Sequence, residues 1–125
     1  MKKGLLLLIA FITIFMVSCS GGNGFETISA AEAKTMMDAD SSIILLDVRT
    51  ASEYNEEHIE GASLLPLDDI EATASKVISN KTATYIVYCR SGNRSNQASE
   101  ILVDLGYENI YDMGGIIDWP YDTVS

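Results

Sequence analysis

Apolar residues in this chain form two kinds of run. Ser42 to Asp47 holds Ile43, Ile44, Leu45 and Leu46 in unbroken succession, and Ala83 to Tyr88 is a second such segment. Continuous runs of this length predict strands covered on both faces, as in a parallel sheet. Shorter strands are predicted at Phe25 to Ile28, at Ala62 to Leu65 before Pro66, and at Asn109 to Met113. Between them the spacing becomes helical. Ser29 and Glu32 form a capping-box signature ahead of Ala30, Ala33, Met36 and Met37; Thr50 and Glu53 form another, opening a short helix expected to end near His58. Ile70, Ala74, Val77 and Ile78 share one helical face. Ala98, Ile101, Leu102 and Leu105 share another, stopped by Gly106. Gly114-Gly115 is read as a turn into a short helix carrying Trp119. Strands alternating with helices predict one α/β domain over residues 25–125, built on a mainly parallel central sheet of about five strands flanked by helices. There is no internal repeat.

The N-terminus follows a different pattern. Lys2 and Lys3 precede an apolar run from Gly4 to Val17, broken only by Thr13. The run is shorter than the ~18 residues of a spanning helix and fits an export signal over residues 1–18. Met16-Val17-Ser18-Cys19 resembles the lipobox of bacterial lipoproteins, with Met16 in place of the usual Leu. That resemblance implies a lipidated Cys19 followed by a flexible Gly-rich tether over residues 19–24. The alternative is an ordinary cleaved signal with an incidental cysteine. The expected location is exported, in a bacterial cell envelope, anchored to the membrane through Cys19 at the outer face of the cytoplasmic membrane or in the periplasm.

Charge narrows the function. The chain carries a net −10, and loss of Lys2 and Lys3 with the signal takes it to −12. Such a surface argues against nucleic acid or anionic lipid surfaces as partners. It also makes local positive charge conspicuous, and Arg90 and Arg94 closely follow Cys89, the one cysteine beyond Cys19. In open α/β sheets reactive groups collect at the carboxyl ends of strands, where Cys89 falls. The segment Cys89-Arg90-Ser91-Gly92-Asn93-Arg94-Ser95 is expected to curl so that backbone N–H groups face the sulfur, with Gly92 left-handed and Ser95 starting a helix. The helix N-terminus and the two arginines favour negative charge on the sulfur and on any anion beside it. The plainer reading, a buried cysteine used as a small hydrophobe, sits poorly with its place at the end of the apolar run.

The segments LLDVRTASEYNEEHIEGASLLPL, YIVYCRSGNRS and GYENIYDMGGIIDWP together resemble the single-domain rhodanese family of sulfurtransferases, in the family's order and over essentially all of residues 25–125. The resemblance implies that Cys89 is the sulfur-carrying nucleophile and that residues 90–94 form the loop cradling a persulfide. A small anionic donor such as thiosulfate would load Cys89, and cyanide or a thiol would unload it, with no metal or organic cofactor; the oligomeric state is left open, with a monomer expected. One departure is Glu57, where the family usually has Gly before its His-Ile pair, which puts the local turn in question.

Asp47 and Arg49 end a strand near this loop and are read as a structural pair that orients its neighbours. His58, the chain's one histidine, is implied by the resemblance to be structural, and one His with one Cys makes no zinc site. Trp119 and the tyrosines are read as core or rim. Two other functions stay open. Cys-dependent phosphatases and arsenate reductases, some of which share the fold, have one residue more between Cys and Arg than the four from Arg90 to Asn93. A sulfur carrier or docking module, accepting persulfide from a partner without rapid turnover, fits the same loop.

Overall fold

A computed structural model describes residues 24–125. The export signal, Cys19 and all of the tether except Gly24 lie outside the described residues. Among the described residues no helix is long and apolar enough to cross a membrane.

The chain alternates strand and helix: β1 (Glu26–Thr27), α1 (Ala30–Ala39), β2 (Ile44–Asp47), α2 (Ala51–Glu56), β3 (Ser63–Leu64), α3 (Ile70–Val77), β4 (Thr84–Cys89), α4 (Asn93–Asp104) and β5 (Asn109–Gly115). Single 3₁₀ turns at Leu67–Asp69 and Ile116–Asp118 precede α3 and follow β5. The five strands form one parallel sheet in the order β1-β5-β4-β2-β3. The α/β class and the parallel sheet are as the apolar runs predict.

β4 lies at the centre, and from Tyr85 onward every residue in it is buried. Its period-two alternation divides the core. Tyr85, Val87 and Cys89 join Leu46, Val48, Ile70, Ala74, Ala98 and Leu102 beneath α3 and α4. Ile86 and Tyr88 join Ala33, Leu45, Ile59 and Met113 on the opposite face, toward α1. Covering both faces requires apolar residues in succession, which is why β2 and β4 carry no alternation.

Both predicted capping boxes form. Ser29 Oγ accepts from Glu32 N–H at 3.0 Å while Glu32 Oε1 accepts from Ser29 N–H at 2.8 Å. Thr50 and Glu53 repeat the exchange at 3.2 and 3.0 Å. Three local expectations are corrected. Val77 is 57% exposed, because α3 ends there and only Ile70, Ala74 and Ile78 reach the core. Helix α4 begins at Asn93, not Ser95, with Gly92 as its N-cap. Gly114 and Gly115 do not turn the chain but complete β5, in register with Tyr88 and Cys89 after a bulge that skips Met113.

Candidate active site

Residues of three elements converge at the carboxyl end of β4. Cys89 is fully buried and is a free thiol, its side chain on the α4 face of the sheet. Its Sγ accepts a hydrogen bond from Gly92 N–H at 3.0 Å. That bond depends on Gly92 holding φ +113°, a left-handed angle that an L side chain rarely adopts. The Gly92 carbonyl accepts from Ser95 Oγ at 3.1 Å and from Asn96 N–H at 3.3 Å, so the peptide is fixed on both sides. Asn93, Arg94 and Ser95 are the first residues of α4, and their N–H groups have no carbonyl one turn back to bond. A sulfur or an oxyanion beside Sγ therefore meets a helix N-terminus.

β5 supports the loop from below. Gly115 is opposite Cys89, and a Cβ built there would lie 2.1 Å from the Arg90 carbonyl oxygen. The same carbonyl accepts from Ile117 N–H at 3.2 Å. The loop thus rests directly on the backbone of β5.

The structure separates the arginines. Arg90 is exposed and makes no ion pair among the described residues. Arg94 does not stand free beside the thiol as the sequence suggested. Its Nη1 and Nη2 donate to Glu53 Oε1 and Oε2 at 2.8 and 3.0 Å, in a bidentate pair joining α4 to α2. These bonds hold the Glu53 carboxyl down to about 2 against the opposing effect of burial. They also raise the Arg94 guanidinium, against the opposing effect of burial.

Asp47 and Arg49 form a second pair, fully enclosed: Arg49 Nη2 to Asp47 Oδ2 is 2.6 Å, and Arg49 Nε bonds Oδ1 at 2.9 Å. Tyr88 Oη donates to Asp47 Oδ2 at 2.7 Å and accepts from Ile59 N–H at 3.1 Å. Arg49 Nη2 also donates to the Glu57 carbonyl at 2.7 Å. The network ties the ends of β2 and β4 to the chain leaving α2, a positioning job on the sheet face opposite Cys89. Glu57 sits at φ −173°, extended backbone that any residue adopts, so no glycine is needed there. Its Oε2 accepts from Thr123 Oγ1 at 2.9 Å. His58 stacks on Tyr54 with ring centroids 3.7 Å apart, and its Nδ1 donates to the Tyr54 carbonyl at 2.8 Å. Its main chain pairs with Val124. Both contacts hold it within the fold. Trp119 and Tyr121 pack edge to face at the rim, 4.8 Å between centroids.

Sequence reasoning missed two residues of this site. Glu53 carries a local signal only for capping, and nothing near it in sequence announces a partner in α4. Gly115 was legible in principle, since a glycine at a strand end marks close backbone approach as well as a turn.

Comparison with known proteins agrees with this architecture. Residues 29–120 match the model of the rhodanese-like domain. The thiosulfate sulfurtransferase PspE of Escherichia coli (strain K12) is 37% identical over 73 residues, covering 58% of this chain and 70% of that protein. The putative sulfur carrier protein YrkF of Bacillus subtilis (strain 168) is 30% identical over 107 residues, 85% of this chain but 57% of that relative's length. Among solved structures, a rhodanese with anions from E. coli superposes with a TM-score of 0.62 at 34% identity, covering 66% of this chain and 98% of the other. A rhodanese-related protein from Thermoplasma volcanium gives 0.70 at 27% identity, covering 80% and 98%. The chain belongs to the rhodanese-like domain family, as the three segments around Asp47, Cys89 and Gly115 indicated.

Proposed function

We propose that the protein is a sulfurtransferase that moves sulfane sulfur from thiosulfate, or a related anionic donor, to a thiophilic acceptor through a persulfide on Cys89. The observation that carries this reading is the Gly92 N–H on Cys89 Sγ at the N-terminus of α4. In the first step the Cys89 thiolate attacks the outer sulfur of thiosulfate. The S–S bond of the donor breaks and sulfite leaves with the bonding pair, giving a Cys89 persulfide. In the second step cyanide attacks the outer persulfide sulfur and thiocyanate departs, restoring the thiolate. Neither step transfers a proton, so no general base is called for. His58, bonded to Tyr54, is not assigned one. The helix N-terminus stabilises the negative sulfur in both forms.

The experiment is thiocyanate formation from thiosulfate and cyanide by wild type and Cys89→Ser. The reading expects turnover in the first and none in the second; Cys89→Ser activity within tenfold of wild type would sink it. A second reading, a carrier that is loaded once and unloaded by a partner protein, is favoured by similarity to a putative sulfur carrier. Stoichiometric loading with negligible turnover would select it. The phosphatase reading is disfavoured by the short loop, in which Gly92 N–H already closes on the sulfur.

The protein is further proposed to be exported and held at a membrane by lipid on Cys19, a reading supported by the leader and the Met16-to-Cys19 motif.

A further inference from the structure

Three arginines lie at the carboxyl end of the sheet, and two are neutralised from within: Arg49 by Asp47 on the face opposite Cys89, and Arg94 by Glu53. The Arg94–Glu53 pair is only partly exposed, at 30% and 24%, so its charges are not simply dispersed into water. Glu53 is itself immobilised, because Oε1 also accepts from Thr50 N–H at 3.0 Å and Thr50 Oγ1 at 3.1 Å. Among the described residues Arg90 is left as the unpaired cation on the Cys89 loop. We propose that Glu53 is a specificity-determining residue: by clamping Arg94 it withholds one positive charge from the donor and so sets how strongly the site prefers dianionic over monoanionic sulfur donors.

The inference rests on the sulfurtransferase reading above and extends it to the donor's charge. Thiosulfate carries two negative charges and gives up sulfite. Methanethiosulfonate carries one, gives up methanesulfinate and leaves the same Cys89 persulfide. A cation freed beside the sulfur attracts the dianion more than the monoanion. The low proton affinity of the Glu53 carboxyl means that it stays charged at any pH used for assay.

The test compares kcat/KM for thiosulfate and methanethiosulfonate, with cyanide as acceptor, in the full chain purified in non-ionic detergent. Glu53→Gln suits it, because glutamine at this position can keep the capping box while losing the charge; a native far-UV circular dichroism spectrum at the assay temperature would show that the fold is intact, with the lower Tm that loss of the ion pair brings. The ratio of thiosulfate to methanethiosulfonate efficiency is expected to rise about five- to tenfold in Glu53→Gln, the effect of one unit charge on one extra unit of donor charge in a partly solvated site. In an Arg94→Ala background the same substitution should raise the ratio clearly less, since only the field of the lost carboxylate remains and no cation is freed toward the sulfur. An unchanged ratio in Glu53→Gln, or an equal rise without Arg94, overturns the inference while leaving sulfur transfer standing. Absence of Cys89-dependent transfer from either donor in wild type overturns the sulfurtransferase reading and this inference with it.

Discussion

Gly115→Ala isolates the contact on which the Cys89 loop rests. The backbone at Gly115 is ordinary extended strand, φ −115° and ψ 149°, so alanine suits the chain conformation. Its methyl does not suit the space. The added carbon would lie 2.1 Å from Arg90 O, 2.6 Å from Arg90 C and 2.6 Å from Ser91 Cα, all backbone atoms that cannot rotate away. Real contacts of this kind stay above 3.0 Å, so the Arg90–Ser91 peptide must rise by about 1 Å. A cradle of this type tolerates about 0.5 Å, and a misplacement of about 1 Å costs on the order of 100-fold in rate. The expected outcome is a loss of about 100-fold in thiosulfate kcat/KM, about 2.7 kcal/mol of transition-state stabilisation, with about 1–3 kcal/mol lost in stability from overpacking. Steady-state thiocyanate formation and urea denaturation measure the two. Gly114→Ala is the control: nothing lies within 4 Å of its added carbon, but φ is +86°. It should lose about 1–2 kcal/mol to backbone strain with far less effect on transfer. Gly115→Ala activity within threefold of wild type, or equal activity losses in the two variants, would refute the reasoning.

Three further outcomes are expected. Tyr88→Phe removes the hydroxyl shared by Asp47 and Ile59 N–H in a buried network, and should cost about 1–3 kcal/mol in urea denaturation; a loss below about 0.5 kcal/mol would mean that the network relaxes around it. Folding depresses the Glu53 carboxyl to about 2, below its unfolded value of roughly 4.3. Its contribution to stability is therefore complete above that unfolded value and lost as pH falls toward about 2. Tm should fall more steeply with acid in wild type than in Glu53→Gln, and parallel curves would contradict the pairing. Cys19→Ser should move the protein out of the membrane fraction, and wild type already in the soluble fraction would remove the anchor.

The parts of this site legible in the sequence are those written in one local stretch. Tyr85 to Gly92 passes from buried strand to left-handed glycine to helix start, and each transition has its own residue signature, so the place of Cys89 could be read without coordinates. The capping boxes were legible for the same reason, each being closed over three residues. Glu53–Arg94 was not, because the pair spans 41 positions and forms only once β2 and β4 are neighbours. Tyr88 reads as one more apolar strand residue, and its hydroxyl bonds depend on a face that alternation cannot assign in a fully buried strand. Gly114-Gly115 carries the signature of a turn and of close packing alike, and the register with Cys89 decides between them.

Persulfide formation on Cys89 is the central claim, and intact-mass spectrometry of the purified chain after exposure to thiosulfate tests it most directly. The account predicts an adduct of about 32 Da, one sulfur atom, mapped to the peptide containing Cys89, lost on adding cyanide and absent from Cys89→Ser. No adduct in wild type, or the same adduct persisting in Cys89→Ser, would contradict it.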